Sequence, residues 1–169
     1  WLKKIITEDY KPHEICIVIR SSEEISRAKL ALDYSEIPYK VLDEYIEVTH
    51  GYISIAEMHF VKGLEFRAVV VMACDDEIIP SQKRIENVSD NADLEEVYNT
   101  ERHLLYVACT RARDKLLLTS GNEPSEFLSD ASICGNRAIA GIFKFIALST
   151  SFNRFCKVLC NLYSISTFW

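Results

Sequence analysis

Residues 15–19 read ICIVI, an unbroken apolar run that is mostly β-branched. Such a run offers no polar side to water, so it fits a strand covered on both faces, as in a parallel sheet. A second run, AVVVMA at Ala68–Ala73, has the same character and suits a central position. Covering both faces of such strands requires helices between them, which restricts the chain to an α/β architecture.

The segments between these runs agree. Ser21 and Ser22 follow the first strand and are placed to cap a helix, with Glu23 and Glu24 in its first turn. Ile25, Leu30 and Leu32 supply its apolar positions up to the Ile37-Pro38 break, and Tyr39–Leu42 reads as a second strand. Ile53–His59 alternates apolar and polar residues, as a strand does. Asp75–Asp93 is polar and reads as a surface loop. Leu94–Ala112 lacks glycine and proline and sets Leu94, Val97, Leu104, Leu105 and Ala108 at roughly helical spacing, and Lys115–Thr119 returns as a strand. The order predicts βαβ units in a mostly parallel sheet with helices on both faces.

Length and composition fit one such domain: 169 residues, 49% hydrophobic and 26% charged. We expect it to occupy residues 1–130. Residues 131–169 lack acids, are rich in aromatics and show no clear period, which suits a divergent extension or an out-of-frame tail. The net charge is -6, and residues 1–130 hold all 25 acids but only 15 of the 19 basic residues. An acidic body is no general nucleic-acid binder, so any DNA contact must come from a local patch. Cys16, Cys74 and Cys109 lie in apolar runs and Cys134, Cys156 and Cys160 form no CxxC pair, which predicts buried reduced thiols in a cytoplasmic protein and argues against a metal site. Ala138–Leu148 is too short to span a bilayer, so no membrane partner is expected. The start, WLKKIITEDYKPHE, has no initiator methionine and reads as part of a longer chain.

Ligands of parallel sheets gather where strands end. Arg20 follows ICIVI directly, and its guanidinium matches phosphate oxygens; position alone favours a surface arginine, or a partner for Glu23 or Glu24, by about two to one. The segment His59-Phe60-Val61-Lys62-Gly63-Leu64-Glu65-Phe66 combines a turn glycine, a point charge and an acceptor carboxylate, although the same residues describe an ordinary charged connection. Arg111 and Arg113 close the long helix, where they complement its dipole without any ligand; alternatively, Arg111 is an arginine finger.

Here a resemblance becomes specific. MHFVKGLEFRAVVVMACDDEIIP resembles motif V of UvrD/Rep-type superfamily 1 DNA helicases, and ERHLLYVACTRARDKLLLTSG resembles their motif VI. ICIVIRSSEEISRAKLALDYSEIPYKV is similar to motif IV and the helix after it, so the likeness covers roughly residues 14–130. It implies the second, C-terminal RecA-like domain of such a helicase. The short Leu42–Tyr52 connection places it in the branch lacking the large helical insertion.

The resemblance further implies that Arg20 and Arg111 contact the γ-phosphate of ATP bound mainly by a preceding RecA-like domain. Glu65 would take the ribose hydroxyls beside Gly63, and His59 and Lys62 would face single-stranded DNA. Arg20, Glu65 and Arg111 should then converge on a single rim of the sheet. Mg²⁺ would be held by the preceding domain, since no GxxxxGK[ST] occurs here and the chain alone should be inactive. The parent would be an ATP-dependent, 3′–5′ helicase. Glu57 stands where the family has a small hydroxyl residue, and a carboxylate there would repel DNA phosphate, which leaves a non-catalytic DNA- or protein-binding module as the alternative.

Overall fold

A computed structural model describes residues 1–43, 47–88, 91–131 and 144–149, with the side chains of 91–92, 129–131 and 144–149 excepted. Its strands are β1 (Ile15–Ile19), β2 (Tyr39–Val41), β3 (Ile53–Glu57), β4 (Phe66–Val71), β5 (Ala112–Ser120) and β6 (Lys144–Ser149), joined in the order β2-β3-β1-β4-β5-β6. The first five run parallel, and β6 pairs with β5 antiparallel. Cys134, Cys156, Cys160 and most of the 131–169 segment lie outside the described residues.

Successive side chains leave a strand on opposite faces, so the apolar runs feed two cores at once. Cys16, Val18, Val69, Val71, Leu116 and Leu118 enter one; Ile15, Ile17, Ile19, Ala68, Val70 and Leu117 enter the other. Helices α4 (Asn91–Thr110) and α5 (Glu126–Ala131) close the first core through Leu105, Ala108, Phe127 and Leu128. Helices α1 (Leu2–Thr7) and α2 (Ile25–Ser35) close the second through Ile5, Ala28 and Leu32. This is the expected RecA-like α/β layering, and it explains why Cys16, Cys74 and Cys109 are buried free thiols.

Some local expectations are corrected. The strand expected over Ile53–His59 ends at Glu57; as β3 it lies between β2 and β1 and buries Ser54 as well as its isoleucines. Leu30 is 70% exposed; Ala28 and Leu32 carry the inward face of α2. Ser21 stands before a 3-10 turn at Ser22–Glu24 without a side-chain cap bond, and α2 starts only at Ile25. Asp75–Asp93 is not simply a surface loop: it contains α3 (Gln82–Glu86) and buries Asp75 and Ile79.

Since β1, β4 and β5 point the same way, the sheet has an amino rim and a carboxyl rim, about 17 Å apart for a five-residue strand. The candidate residues divide between them.

Candidate functional site

Arg20 leaves the carboxyl end of β1, and its side chain is only 14% exposed. Its Nε donates to Glu101 Oε2 at 2.6 Å and its Nη2 to Glu101 Oε1 at 2.5 Å, a two-pronged pairing. Glu101 is fully buried, and it also accepts from Arg84 Nη1 at 2.8 Å and from the Ser81 amide at 3.2 Å. Each carboxylate oxygen thus receives two hydrogen bonds, which uses all of its acceptor capacity. Burial pushes the Glu101 carboxyl up, but the Arg20 hydrogen bonds and charge, with Arg84 and the Ser81 amide, outweigh it and hold it below its ordinary value.

A second tie of the same kind lies on this rim. Asp75 Oδ1 accepts from the Gly121 and Asn122 amides at 2.6 and 2.9 Å, and its Oδ2 from Arg27 Nη1 at 2.8 Å. Burial raises this carboxyl too, while those donors and the Arg27 charge pull it below normal.

Arg111 occupies the other rim, where α4 ends and β5 begins. Its Nε donates to the Val107 carbonyl at 3.1 Å, its Nη2 to Thr110 Oγ1 at 3.0 Å and its Nη1 to the Leu64 carbonyl at 3.2 Å. The Phe66 amide in turn donates to the Arg111 carbonyl at 2.9 Å. Glu65, which is exposed, is therefore bracketed by two residues that bond to Arg111. Gly63 makes this possible: the Leu64 amide donates to the Val61 carbonyl across a turn whose third residue has φ +85, the left-handed position that glycine fills without strain. A Cβ at Gly63 would meet nothing within 4 Å, so the turn borders open space.

The expectation that Arg20 joins Glu65 and Arg111 on one rim is therefore corrected. Arg20 follows β1 at the carboxyl rim and is spent on Glu101, nine residues before the end of α4 at Thr110; at ~1.5 Å per residue the helix end, which Arg111 follows, is about 14 Å away. Nor do Glu23 and Glu24 pair with it: Glu23 bonds Lys83 and Glu24 lies 3.5 Å from Arg27.

The connection from β3 to β4 runs between the rims. Met58 at its start donates to the Ile19 carbonyl at 2.8 Å, which keeps the adjacent His59 beside Arg20. His59 is exposed, stacks on Phe60 with centroids 3.9 Å apart, and has Nδ1 3.7 Å from Glu57 Oε2. Lys62 is exposed in the Gly63 turn. One eight-residue stretch thus places His59 on the carboxyl rim and Glu65 on the amino rim.

Sequence reading missed Glu101 as a site residue. The signal was present: Tyr98, Glu101, Leu105 and Ala108 form one inward stripe of α4, and a charge inside an apolar stripe requires a buried partner. Asp75, directly after the AVVVMAC run, carried the same signal.

With this geometry in view, comparison with known proteins is informative. Residues 45–123 match the family described as UvrD-like helicase C-terminal domain. DNA helicase II of Rickettsia typhi is 30% identical over 120 residues, covering 68% of this chain and 18% of that protein. ATP-dependent DNA helicase PcrA of Staphylococcus epidermidis is 32% identical over 93 residues, covering 48% and 12%. ATP-dependent DNA helicase Rep of Buchnera aphidicola is 38% identical over 77 residues, covering 46% and 11%. The chain thus spans less than a fifth of the length of these relatives. The crystal structure of the C-terminal domain of a possible DNA helicase from a Lactobacillus aligns with TM-score 0.54 and 23% identity over 76% of this chain and 66% of that one, which shows a shared fold. Family match, sequence relatives and fold agree with the motif resemblance on one identification: residues 45–123 match the UvrD-like helicase C-terminal domain.

Proposed function

We propose that this chain is the C-terminal domain of an ATP-dependent, 3′–5′ DNA helicase and completes an ATP site built mainly by a preceding RecA-like domain. One observation carries the reading: Arg111 is hydrogen-bonded on both sides of Glu65, so the motif VI arginine and the motif V carboxylate share one rim. Among the described residues, three of the five guanidinium N–H donors of Arg111 are taken up, which leaves two for a ligand. The open space at Gly63 suits a nucleotide against the Leu64–Glu65 backbone.

In this reading Arg111 reaches the γ-phosphate, where a fixed cation stabilises charge as the phosphoryl group departs. Glu65 accepts from the ribose hydroxyls. Mg²⁺, which the preceding domain would hold, would supply positive charge to the phosphates. His59 and Lys62 meet the single-stranded DNA backbone, so one connection touches both ligands. Arg20 takes no part in nucleotide contact.

Replacing Arg111 by alanine in the intact parent should lower ATP turnover by about a thousandfold while ATP binding is kept. Turnover near that of the unmodified protein would defeat the reading. Glu57 beside His59 favours a second reading, a non-catalytic DNA- or protein-binding module, since a carboxylate on that surface opposes phosphate. An in-frame phosphate-cradling GxxxxGK[ST] upstream of residue 1 separates the two: its presence supports the helicase and its absence the module.

A further inference from the structure

Glu101 lies mid-helix in α4, touches neither proposed ligand, and is fully buried. Its setting is costly for a structural residue, because burying a carboxylate forfeits hydration that an apolar side chain of the same size would not lose. What the charge adds is direction. The apolar contacts of α4, through Leu105, Ala108 and Cys109, bury area without fixing where along its axis the helix stops. The Arg20 fork is different: two N–H donors on a rigid plane meet two oxygens at 2.6 and 2.5 Å, and only one axial position of α4 satisfies both. The Ser81 amide and Arg84 hold the same carboxylate from the other side.

Ten residues further along the chain, just past the end of α4, stands Arg111, whose Nε donates to Val107 in the last turn of the helix and whose Nη1 reaches the Leu64 carbonyl at 3.2 Å. A helix is stiff along its axis, so a shift at Glu101 is carried to Val107 nearly undiminished. A slide of about 1 Å would bring the 3.2 Å contact beyond hydrogen-bonding range. We infer that Glu101 is a positioning residue: held by the Arg20 fork, its carboxylate sets the axial register of α4 and thereby keeps the Arg111 guanidinium against the Leu64 carbonyl. The functional weight of this rests on the nucleotide reading of Arg111 given above.

The same tie connects the rims. Arg20 follows Ile19, whose carbonyl receives the Met58 amide next to His59. A chain of contacts thus joins the His59 segment, through Ile19 and the Arg20–Glu101 pair, to α4.

The test uses this chain without nucleotide, so its failure is separable from failure of the nucleotide reading. The Arg111 Nε–H resonance and the exchange rates of the Phe66 and Leu117 amides are followed by NMR in the unmodified chain and in Glu101→Gln. We expect the Arg111 Nε–H signal to move or broaden and Phe66 to exchange about tenfold faster or more relative to Leu117, the β5 core reference. If Glu101→Gln fails to fold, Arg20→Lys takes its place, since it keeps the charge and loses the fork; the same two changes are expected. An unmoved Arg111 signal with an unchanged Phe66 to Leu117 ratio, in whichever variant folds, would overturn the inference.

Discussion

Arg20 and Arg27 at the carboxyl rim and Arg111 at the amino rim are held in opposite ways. At the carboxyl rim, Arg20 and Arg27 are spent on buried carboxylates, Glu101 and Asp75, whose oxygens are themselves taken up by further donors. At the amino rim, Arg111 leans on two backbone carbonyls and a hydroxyl, all neutral, beside an exposed carboxylate. A guanidinium locked to a carboxylate contributes to fold and register; one held by neutral acceptors keeps its charge available to an incoming anion. Not every arginine of the amino rim is available, since Arg67 pairs with Asp114 at 2.8 Å and with Glu14 at 3.2 Å. The contrast therefore concerns the partner and not the rim alone.

The contrast breaks most readily on stability. Arg20→Ala strands a buried carboxylate, and breaking such a pair should cost about 3 kcal/mol in chemical denaturation of the chain, with Arg84 and the Ser81 amide retaining part of the tie. Arg111→Ala removes three part-buried hydrogen bonds to neutral groups but strands no buried charge, and should cost less than Arg20→Ala in the same measurement. Equal losses would erase the distinction between the two arginines.

Acid sharpens it more gently. The folded values of Glu101 and Asp75 lie below their ordinary 4.5 and 3.8, so their stabilisation is complete above those ordinary values and is lost as pH falls through the folded ones. Denaturation of the unmodified chain between pH 6 and about 3 should show stability falling at the acid end, with a shallower fall in Glu101→Gln. Identical acid slopes would mean that Glu101 holds no such charge.

How much of this was readable in the sequence follows from what local pattern encodes. The apolar runs at 15–19 and 68–73 announced strands covered on both faces, and the uninterrupted Leu94–Ala112 segment announced the helix found at Asn91–Thr110, because these depend on local pattern. The burial of Ser54 was not legible locally, because it comes from β2 and β1, the strands on either side of it in the sheet. Arg20 was misplaced for a related reason: following a strand fixes its rim, but its partner Glu101 lies 81 residues away. Arg111 and Glu65 were named through motif resemblance, and their proximity depends on the Phe66–Arg111 backbone bond, which no spacing rule supplies.

The most direct test asks which rim meets nucleotide. Hydrogen exchange of the intact parent, with and without a non-hydrolysable ATP analogue, should show protection at residues 61–66 and 107–112 and little change at 20–24 and 81–84. Protection centred on 20–24 and 81–84, with 61–66 and 107–112 unaltered, would contradict the account.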